Sequence, residues 1–249
     1  MSKQGEIEYV SRLSEGELRH AADKPFSDAQ CGRYLMDLGM VLSLLPEPPA
    51  RLLDLGCGTG WTSCMFARRG FLVTGQDICP AMIDLAEENR ERANLEHLTF
   101  HAGDYEDLPF TAEFDAAVFY DSLHHAVCEK AAFQAVARAL KPGGICITVE
   151  PGVGHGRAEA SLQAVRRFGT TERDMPPKQI IEAARLAGFQ SWAVYPRFAT
   201  AWDKVLRTTR PGNRRRVPRL PFYRNVLLMA NLTYSWVKKS RTGIVVLTK

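Results

Sequence analysis

Three closely spaced glycines form the part of this sequence best suited to bind a ligand. An apolar run that ends in Asp54 leads into Gly56, Gly58 and Gly60. Glycine permits a sharp turn and lets a ligand lie close to the backbone, and the first turn of a following helix has unpaired N–H groups. The pattern therefore predicts a buried strand, a ligand-binding loop and a helix.

The residue after the last glycine separates two classes of ligand. A dinucleotide-binding loop has its third glycine where this chain has Trp61, because a glycine there lets the helix pack closely on the strand. The spacing favours a ligand other than NAD. An NAD-dependent oxidoreductase stays open as an alternative, since it would share the loop and an acid at Asp77.

The loop resembles the first motif of the class I S-adenosylmethionine-dependent methyltransferases. In that family the loop surrounds the methionine end of the cofactor, and the acidic residue of the first strand lies beneath it. The resemblance implies a cofactor-binding loop that consists of Asp54, Gly56, Gly58, Gly60 and Trp61.

Two further elements resemble the ribose and adenine motifs of the same family. Asp77 ends a predicted strand, and its two acceptor oxygens suit a pair of neighbouring ribose hydroxyls. Ile78 would pack on one face of the adenine. Asp104 would accept a hydrogen bond from the exocyclic amine, and Tyr105 would stack on the ring. Acids at three successive strand ends are poorly explained as chance helix caps or turn residues.

The segment after the fourth predicted strand resembles the part of the family's pocket that faces the methyl acceptor. Tyr120 and Asp121 are therefore expected near the methionine moiety. His124 and His125 are adjacent, so their side chains should point apart and at most one should face the acceptor. The alternative is that a histidine here caps the loop or the start of a helix.

Methyl transfer is an in-line displacement, so the protein must above all align the donor with the acceptor. A base is needed only where the acceptor carries a proton of high pKa, as an aliphatic hydroxyl does. The candidates, in descending order, are His125, His124, His155 and Glu150, the last two expected at the pocket rim. No metal is predicted, because no group of carboxylates and histidines has ligand spacing.

These residues require a sheet that brings strand ends together. Predicted strands cover 50–55, 71–76, 97–101, 114–119, 143–150, 191–195 and 243–248, with helices at 60–69, 80–93 and 129–140 between them. The alternation predicts an α/β fold with a doubly wound, mostly parallel, seven-stranded Rossmann-like sheet and helices on both faces. The resemblance adds an antiparallel last strand. The ligand should lie at the carboxyl ends of the strands.

The length of 249 residues suits a single domain. Its predicted core comprises 50–195 and 243–249, preceded by a helical segment, 1–49, that acts as a lid or a packing element. A helix should begin near Ser27, which is a candidate N-cap. If the segment is a lid, the residues that should contact ligand are Tyr9, Arg19, Lys24 and Phe26.

Residues 196–242 form an insert that a minimal domain does not need. It combines an apolar helical pattern at 226–232 with basic residues (Arg207, Arg210, Arg214, Arg215, Arg216, Arg219, Arg224, Lys238, Lys239 and Arg241) and aromatic residues (Trp202, Phe222, Tyr223, Tyr234 and Trp236). A solvated loop over a packed helix is one interpretation. A cap for an anionic acceptor is another, because arginine matches phosphates and carboxylates. A lipid-facing surface ranks next, and nucleic acid is unlikely, since no RNA-binding module is identifiable.

The overall composition limits the cellular setting. The net charge is +4, and the six cysteines include no C-x-x-C pair, so we expect reduced thiols. The N-terminus lacks a signal-peptide core, and no run of about 18 apolar residues occurs. We expect a soluble, cytoplasmic protein. Residues 196–242 are the segment through which it could contact a membrane surface.

The predicted function is methyl transfer from S-adenosylmethionine, which leaves S-adenosylhomocysteine as product. The acceptor is an oxygen or nitrogen atom of a small molecule, a glycan or a lipid-linked compound, and an anionic acceptor ranks first. The chain has Asp121-Ser122-Leu123-His124 where methyltransferases acting on amide or base nitrogens carry an Asn-Pro-Pro-Tyr motif. A non-catalytic protein that binds the cofactor remains an alternative, because fold and cofactor motif do not determine the acceptor.

Overall fold

The computed structural model describes residues 3–199, 223–238 and 241–249. Within these residues seven strands form one sheet in the order β3-β2-β1-β4-β5-β7-β6. The strands are β1 (Arg51–Leu55), β2 (Leu72–Asp77), β3 (Leu98–Ala102), β4 (Phe114–Tyr120), β5 (Leu140–Val149), β6 (Ser191–Pro196) and β7 (Gly243–Thr248). Neighbouring pairs among β1 to β5 are parallel, and β7 runs antiparallel to β5 and β6. The predicted sheet is confirmed.

Helices cover both faces of this sheet. The described helices are α1 (Gln4–Ile7), α2 (Glu15–Ala22), α3 (Cys31–Leu44), α4 (Trp61–Arg69), α5 (Pro80–Ala93), α6 (Glu129–Ala139), α7 (Glu159–Phe168), α8 (Pro177–Leu186) and α9 (Tyr223–Lys238). None of them has the length and hydropathy needed to cross a bilayer. Short 3-10 turns occur at Leu123–His125 and His155–Arg157.

The alternation of side chains along β1 explains the two apolar layers. Leu53 and Leu55 are fully buried on one face, in a cluster that includes Phe133 of α6. Leu52 points to the other face and joins a second cluster with Phe66 of α4. Because successive residues of a strand face opposite sides, a strand buried on both faces is apolar nearly throughout.

The sheet order creates the place where a ligand can bind. From β1 the chain moves outward to β2 and β3, then returns to place β4 on the other side of β1. In such sheets the loops that leave the two central strands diverge, and a crevice opens at their carboxyl ends. The glycine loop after β1 and the segment after β4 border this crevice.

Two boundaries differ from the predictions. The helix α3 begins at Cys31, not near Ser27, because the Ser27 hydroxyl donates to the His20 carbonyl (2.7 Å) instead of capping a helix. The strand β5 begins at Leu140 rather than 143. Its pairing with β4 jumps from Phe114↔Leu140 to Ala116↔Ile145, so residues 141–144, whose Lys-Pro-Gly-Gly sequence is typical of a turn, form an irregularity inside the strand.

The insert is described only in part. Its apolar pattern at 226–232 lies within α9, as predicted. The predicted cationic residues Arg207, Arg210, Arg214, Arg215, Arg216, Arg219 and Lys239, together with Trp202 and Phe222, lie outside the described residues. The interpretation of 196–242 as a substrate cap therefore stays a prediction.

Candidate functional site

A cavity of about 310 Å³ lies at the carboxyl ends of the central strands. It is lined by residues of the glycine loop, of the segments after β2, β3 and β4, and of the N-terminal segment: Gly56, Gly58, Asp77, Ile78, Asp104, Tyr105, Glu106, Asp121, His125, Lys3, Glu6, Tyr9, Lys24 and Glu172. A second cavity of about 190 Å³ is lined by Trp61 and Tyr120 and shares Gly58 and Asp121 with the first. The fold thus joins most of the predicted cofactor residues in one cleft.

The glycines of the loop serve different purposes. All three have positive φ, between 54° and 74°. A Cβ on Gly56 would lie 2.5 Å from the Cβ of Ser122, so glycine allows the loops after β1 and β4 to meet. A Cβ on Gly60 would lie 2.7 Å from the Phe100 ring. A Cβ on Gly58 would meet nothing within 4 Å, so at this position the backbone is open to the cavity.

Asp54 supports the loop from below. Its Oδ2 accepts hydrogen bonds from the hydroxyls of Thr62 (2.7 Å) and Ser63 (2.6 Å) in the first turn of α4. Burial raises the pKa of Asp54 to about 6, although the two hydroxyls oppose that rise. Asp54 is only 1% exposed and does not line the cavity, so it positions the loop and the helix start.

Asp77 is fixed by backbone donors at the cavity wall. Its Oδ2 accepts from the Gly58 N–H (2.8 Å) and its Oδ1 from the Cys79 N–H (2.9 Å). Burial raises the pKa of this carboxyl, and the two N–H groups partly offset the rise. A carboxylate has about four lone-pair sites, so the group can still accept from a ligand diol. Ile78 lies beside it on the cavity wall.

Asp104 and Tyr105, the predicted adenine motif, line the cavity after β3 and have partners that the sequence did not indicate. Lys3 forms an ion pair with Asp104, and its Nζ is 3.0 Å from Glu106. The Tyr105 ring packs edge-on against Phe119, with centroids 5.4 Å apart. The ring is 9% exposed and forms part of the wall, so any stacking on adenine uses its cavity side only.

The segment after β4 begins with an unusual backbone. Asp121 has φ of 56°, a region that residues other than glycine seldom occupy and that is enriched at functional sites. Asp121 is exposed at the cavity, and although the protein atoms around it oppose its ionisation by desolvation, the charges of nearby histidines and Arg197 hold the pKa of Asp121 below its ordinary value. Tyr120 packs edge-on against Trp61, with ring centroids 5.4 Å apart. Both aromatic residues thus form the wall of the second cavity.

Next to the cavity, distant segments form a cluster of three histidines and two glutamates. These residues, the histidine–glutamate cluster, are His124, His125, His155, Glu150 and Glu172. The ring centroids of His124 and His125 are 4.1 Å apart, so the prediction that adjacent histidines point apart is wrong. The His155 ring lies 4.8 Å from that of His124. Of the three rings, only that of His125 lines the main cavity.

Glu150 organises the loop after β4. Its Oε1 accepts from the N–H groups of Ser122 (3.1 Å) and Leu123 (2.8 Å), and its Oε2 lies 2.7 Å from the His124 Nδ1. The residue is 1% exposed. The prediction that Glu150 is a base at the pocket rim is wrong, because its oxygens are buried and engaged by the protein.

His125 is the predicted base that the cavity can reach. Its Nδ1 is 2.6 Å from the Thr171 carbonyl oxygen, which can only accept, so Nδ1 carries the proton. The Glu6 carboxylate is 3.3 Å from the same nitrogen. Burial lowers the pKa of His125, but the hydrogen bond and charge of Glu6, with the charge of Glu172, raise it to about 9. His125 is therefore protonated at neutral pH.

His155 and Glu172 complete the cluster. The His155 Nε2 is 2.6 Å from the Glu172 Oε2, and this hydrogen bond raises the pKa of His155 above its usual value. Burial opposes ionisation of Glu172, but the histidines outweigh it and lower the pKa of that carboxyl. Nothing in the sequence marked Glu172, Glu6 or Lys3, because none belongs to a motif or stands near another functional residue.

The N-terminal segment closes one side of the cavity. Tyr9 and Lys24, two of the four residues predicted for a lid, line the cavity together with Lys3. The other two do not contact it. Arg19 is exposed, and Phe26, which is 68% exposed, borders a separate groove. Two of the four residues predicted to contact ligand therefore line the cavity, and the other two do not.

Comparison with known proteins identifies the central part of the chain. Residues 53–148 match the family described as a methyltransferase domain. The chain is 41% identical over 86 residues to magnesium-protoporphyrin O-methyltransferase of Rhodobacter capsulatus, which is 34% of this chain and 38% of that protein. It is 36% identical over 109 residues to ubiquinone biosynthesis O-methyltransferase of Xanthomonas oryzae pv. oryzae, which is 43% of this chain and 45% of that protein. The chain thus spans less than half the length of these relatives.

A solved structure has a similar fold. Geranyl diphosphate C-methyltransferase from Streptomyces coelicolor, in complex with Mg²⁺, geranyl diphosphate and S-adenosylhomocysteine, superposes with a TM-score of 0.64 at 16% identity. The superposition covers 100% of this chain and 97% of that one. At this identity the likeness concerns the fold alone.

Proposed function

Since this chain carries a class I S-adenosylmethionine-dependent methyltransferase domain at residues 53–148, we propose that it transfers the methyl group of that cofactor to an oxygen or nitrogen atom of a small-molecule, glycan or lipid-linked acceptor. One observation carries the proposal. The glycine loop and Asp77 line the same cavity as His125 and Glu172.

The cofactor would occupy the part beside the loop. Gly58 leaves room for the methionine moiety against the backbone, and the fixed carboxylate of Asp77 offers acceptors to the ribose hydroxyls. Ile78 would contact the adenine. Asp104 would accept a hydrogen bond from the adenine amine after the Lys3 side chain leaves its ion pair with that carboxylate. Methyl transfer then depends mainly on holding sulfur, methyl carbon and acceptor in line.

His125 is the base that we propose for an acceptor that must lose a proton. It lines the cavity, whereas His124 and Glu150 are buried behind it. A base accepts a proton only in its neutral form, and the pKa of His125 is raised to about 9. Turnover of a hydroxyl acceptor should therefore increase with pH through this range. An amine acceptor that binds as the free base would need no such step.

An oxygen atom in an anionic acceptor is the chemistry we favour. The two relatives described above are named O-methyltransferases. The support for an anionic acceptor comes from the arginine-rich sequence of the insert, because in the cavity lining itself carboxylates outnumber the lysines Lys3 and Lys24. A lipid-linked acceptor ranks second. It is supported by exposed apolar side chains on α9, which include Val226 (63%) and Met229 (61%). Nucleic acid remains the least favoured acceptor.

The first test is calorimetric titration of the purified chain with S-adenosylmethionine, S-adenosylhomocysteine and NAD. We expect micromolar binding of the two sulfur ligands and none of NAD, because Trp61 replaces the glycine of a dinucleotide loop. Transfer of a radiolabelled methyl group is then measured with carboxylated or phosphorylated alcohols and phenols, and with neutral analogues. Binding of NAD alone would overturn the proposal. Cofactor binding without transfer to any acceptor would support a non-catalytic protein.

A further inference from the structure

We propose that His124, His125 and Glu172 bind a divalent transition-metal ion beside the methyl-transfer cavity. A ring nitrogen from each histidine and a carboxylate oxygen lie within 4.8 Å of one another. Zinc binds such ligands at about 2.0–2.2 Å, so two ligand atoms on one tetrahedral ion are roughly 3.4 Å apart. The distance between the His124 Nε2 and the Glu172 Oε2 is 3.6 Å, close to that separation.

The hydrogen bonds of the two rings support this assignment. A histidine that binds a metal usually donates its other ring N–H to a carboxylate or a carbonyl, which fixes the ring. The Nδ1 of His124 is 2.7 Å from Glu150, and the Nδ1 of His125 is 2.6 Å from the Thr171 carbonyl. The Nε2 atoms are thus left as the ligand atoms, each held by a partner of the required kind.

The surroundings favour a cation of the transition series. Three carboxylates, those of Glu6, Glu150 and Glu172, lie within 4 Å of a histidine of the cluster and supply negative charge. Two imidazoles and one carboxylate suit Zn²⁺, Fe²⁺, Co²⁺ or Mn²⁺ better than Mg²⁺ or Ca²⁺, which prefer all-oxygen sites. His155, 2.6 Å from Glu172, is a positioning residue that orients the carboxylate.

A second grouping, of Asp121, His124 and Glu150, is also close enough for a metal. It is the weaker candidate, because Glu150 already accepts from two backbone N–H groups and from His124. The grouping with Glu172 is also accessible from the main cavity, where an acceptor would bind. His125 and Glu172 both line the cavity, so an open coordination position would face the acceptor and would polarise an acceptor oxygen. In the metal-bound protein His125 is a ligand, so its role as a base applies to the chain without the ion.

The test uses the full chain, purified without a polyhistidine tag and treated with a chelator. Calorimetric titration with Zn²⁺ and Mn²⁺, and the visible spectrum after addition of Co²⁺, report binding without any assay of activity. We expect one ion per chain and a Co²⁺ spectrum typical of nitrogen and oxygen ligands. Glu172→Gln and His124→Asn should each weaken binding by more than 100-fold, and His155→Asn by about 10- to 100-fold.

Glu159→Gln is the matched control, because this glutamate has a side chain 71% exposed on α7 and should not affect metal affinity. Thermal unfolding identifies any variant that has lost its fold. If a variant has lost its fold, the Co²⁺ spectrum of the unaltered chain alone shows whether nitrogen and oxygen ligands bind the ion. A chain that takes up no ion, or that binds equally well as Glu172→Gln, contradicts the metal site. S-adenosylhomocysteine is titrated in parallel, so that failure of the metal site and failure of the proposed methyl transfer are told apart.

Discussion

The two parts of the cleft are built in different ways. On the side where we propose that the cofactor binds, here called the cofactor side, each predicted carboxylate lies within two residues of the end of a strand, and Asp77 is held by the N–H groups of Gly58 and Cys79. On the acceptor side, the histidine–glutamate cluster joins side chains from four separate stretches of the chain, and Glu6 adds a fifth. Asp77 is thus held by backbone donors, which do not depend on another side chain. The acceptor side depends on side chains that hold one another.

This difference predicts where single substitutions should act. A backbone donor survives replacement of its own side chain, whereas a buried side-chain network loses partners whenever one member is removed. We therefore expect stability to be most sensitive on the acceptor side, and ligand affinity to be most sensitive on the cofactor side.

The largest effect should follow from Glu150→Ala. The substitution leaves the His124 ring and the buried N–H groups of Ser122 and Leu123 without their acceptor. We expect the free energy of unfolding, measured by urea denaturation, to fall by about 3–5 kcal/mol. Glu150→Gln should recover part of this loss, because its amide oxygen still accepts. The exposed Glu47 is the control, and a loss for Glu150→Ala as small as that for Glu47→Ala would contradict the comparison.

Asp77→Ala should have the next largest effect, on ligand affinity. Loss of a charge-assisted hydrogen bond to the ribose costs about 1.5–3 kcal/mol, which corresponds to a roughly 10- to 150-fold higher Kd for S-adenosylhomocysteine. Calorimetry measures this change, with thermal unfolding to detect damage to the loop. Asp84→Ala, on the exposed face of α5, is the control. Equal affinities of the two variants would remove Asp77 from the site.

The pH dependence of turnover, measured after treatment with a chelator so that His125 is not a metal ligand, should report the electrostatics of this ring. Its pKa is raised to about 9, so the neutral form appears only as the pH rises, and kcat/KM should rise through that range. Glu6→Gln removes the group that raises this pKa and should move the rise to lower pH. Glu8→Gln, which alters a carboxylate paired with Arg12, should not move it. Identical profiles for the three proteins would exclude His125 as the base.

The same pKa shift predicts a change in stability with pH. Because the folded-state pKa of His125 lies above the ordinary value of 6.5, protonation of this ring favours the folded state. That contribution is fully present below pH 6.5 and is lost as the pH rises through about 9. Urea denaturation over this range, with Glu6→Gln as comparison, measures the loss.

The smallest effect should come from Lys3→Ala. The ion pair with Asp104 is partly exposed, so its loss should change the free energy of unfolding by no more than about 1 kcal/mol. Since Asp104 would no longer be shared with a lysine, affinity for S-adenosylhomocysteine should rise by up to about fivefold. Lys178→Ala, an exposed change on α8, is the control. A weaker affinity for Lys3→Ala would mean that the lysine assists the ligand.

Local patterns predicted most of the fold. The strands appear as short apolar runs, and the helices predicted at 60–69, 80–93 and 129–140 correspond closely to α4, α5 and α6. The two wrong boundaries share a cause. Ser27 and the segment after Leu140 have local signals for a cap and a turn, but contacts with His20 and with β4 override them.

The sequence by itself determined which residues border the proposed cofactor side of the cleft, because glycine spacing and strand-end acids act over a few neighbouring residues and the sheet brings parallel strand ends together. Only the tertiary structure decided the acceptor side. The residues from Glu6 to Glu172 meet because α1, the loops after β4 and β5, and the segment before α8 converge there. Contacts between residues so far apart leave no periodicity or fixed spacing in the sequence, and their pKa shifts arise only after burial brings the charges together.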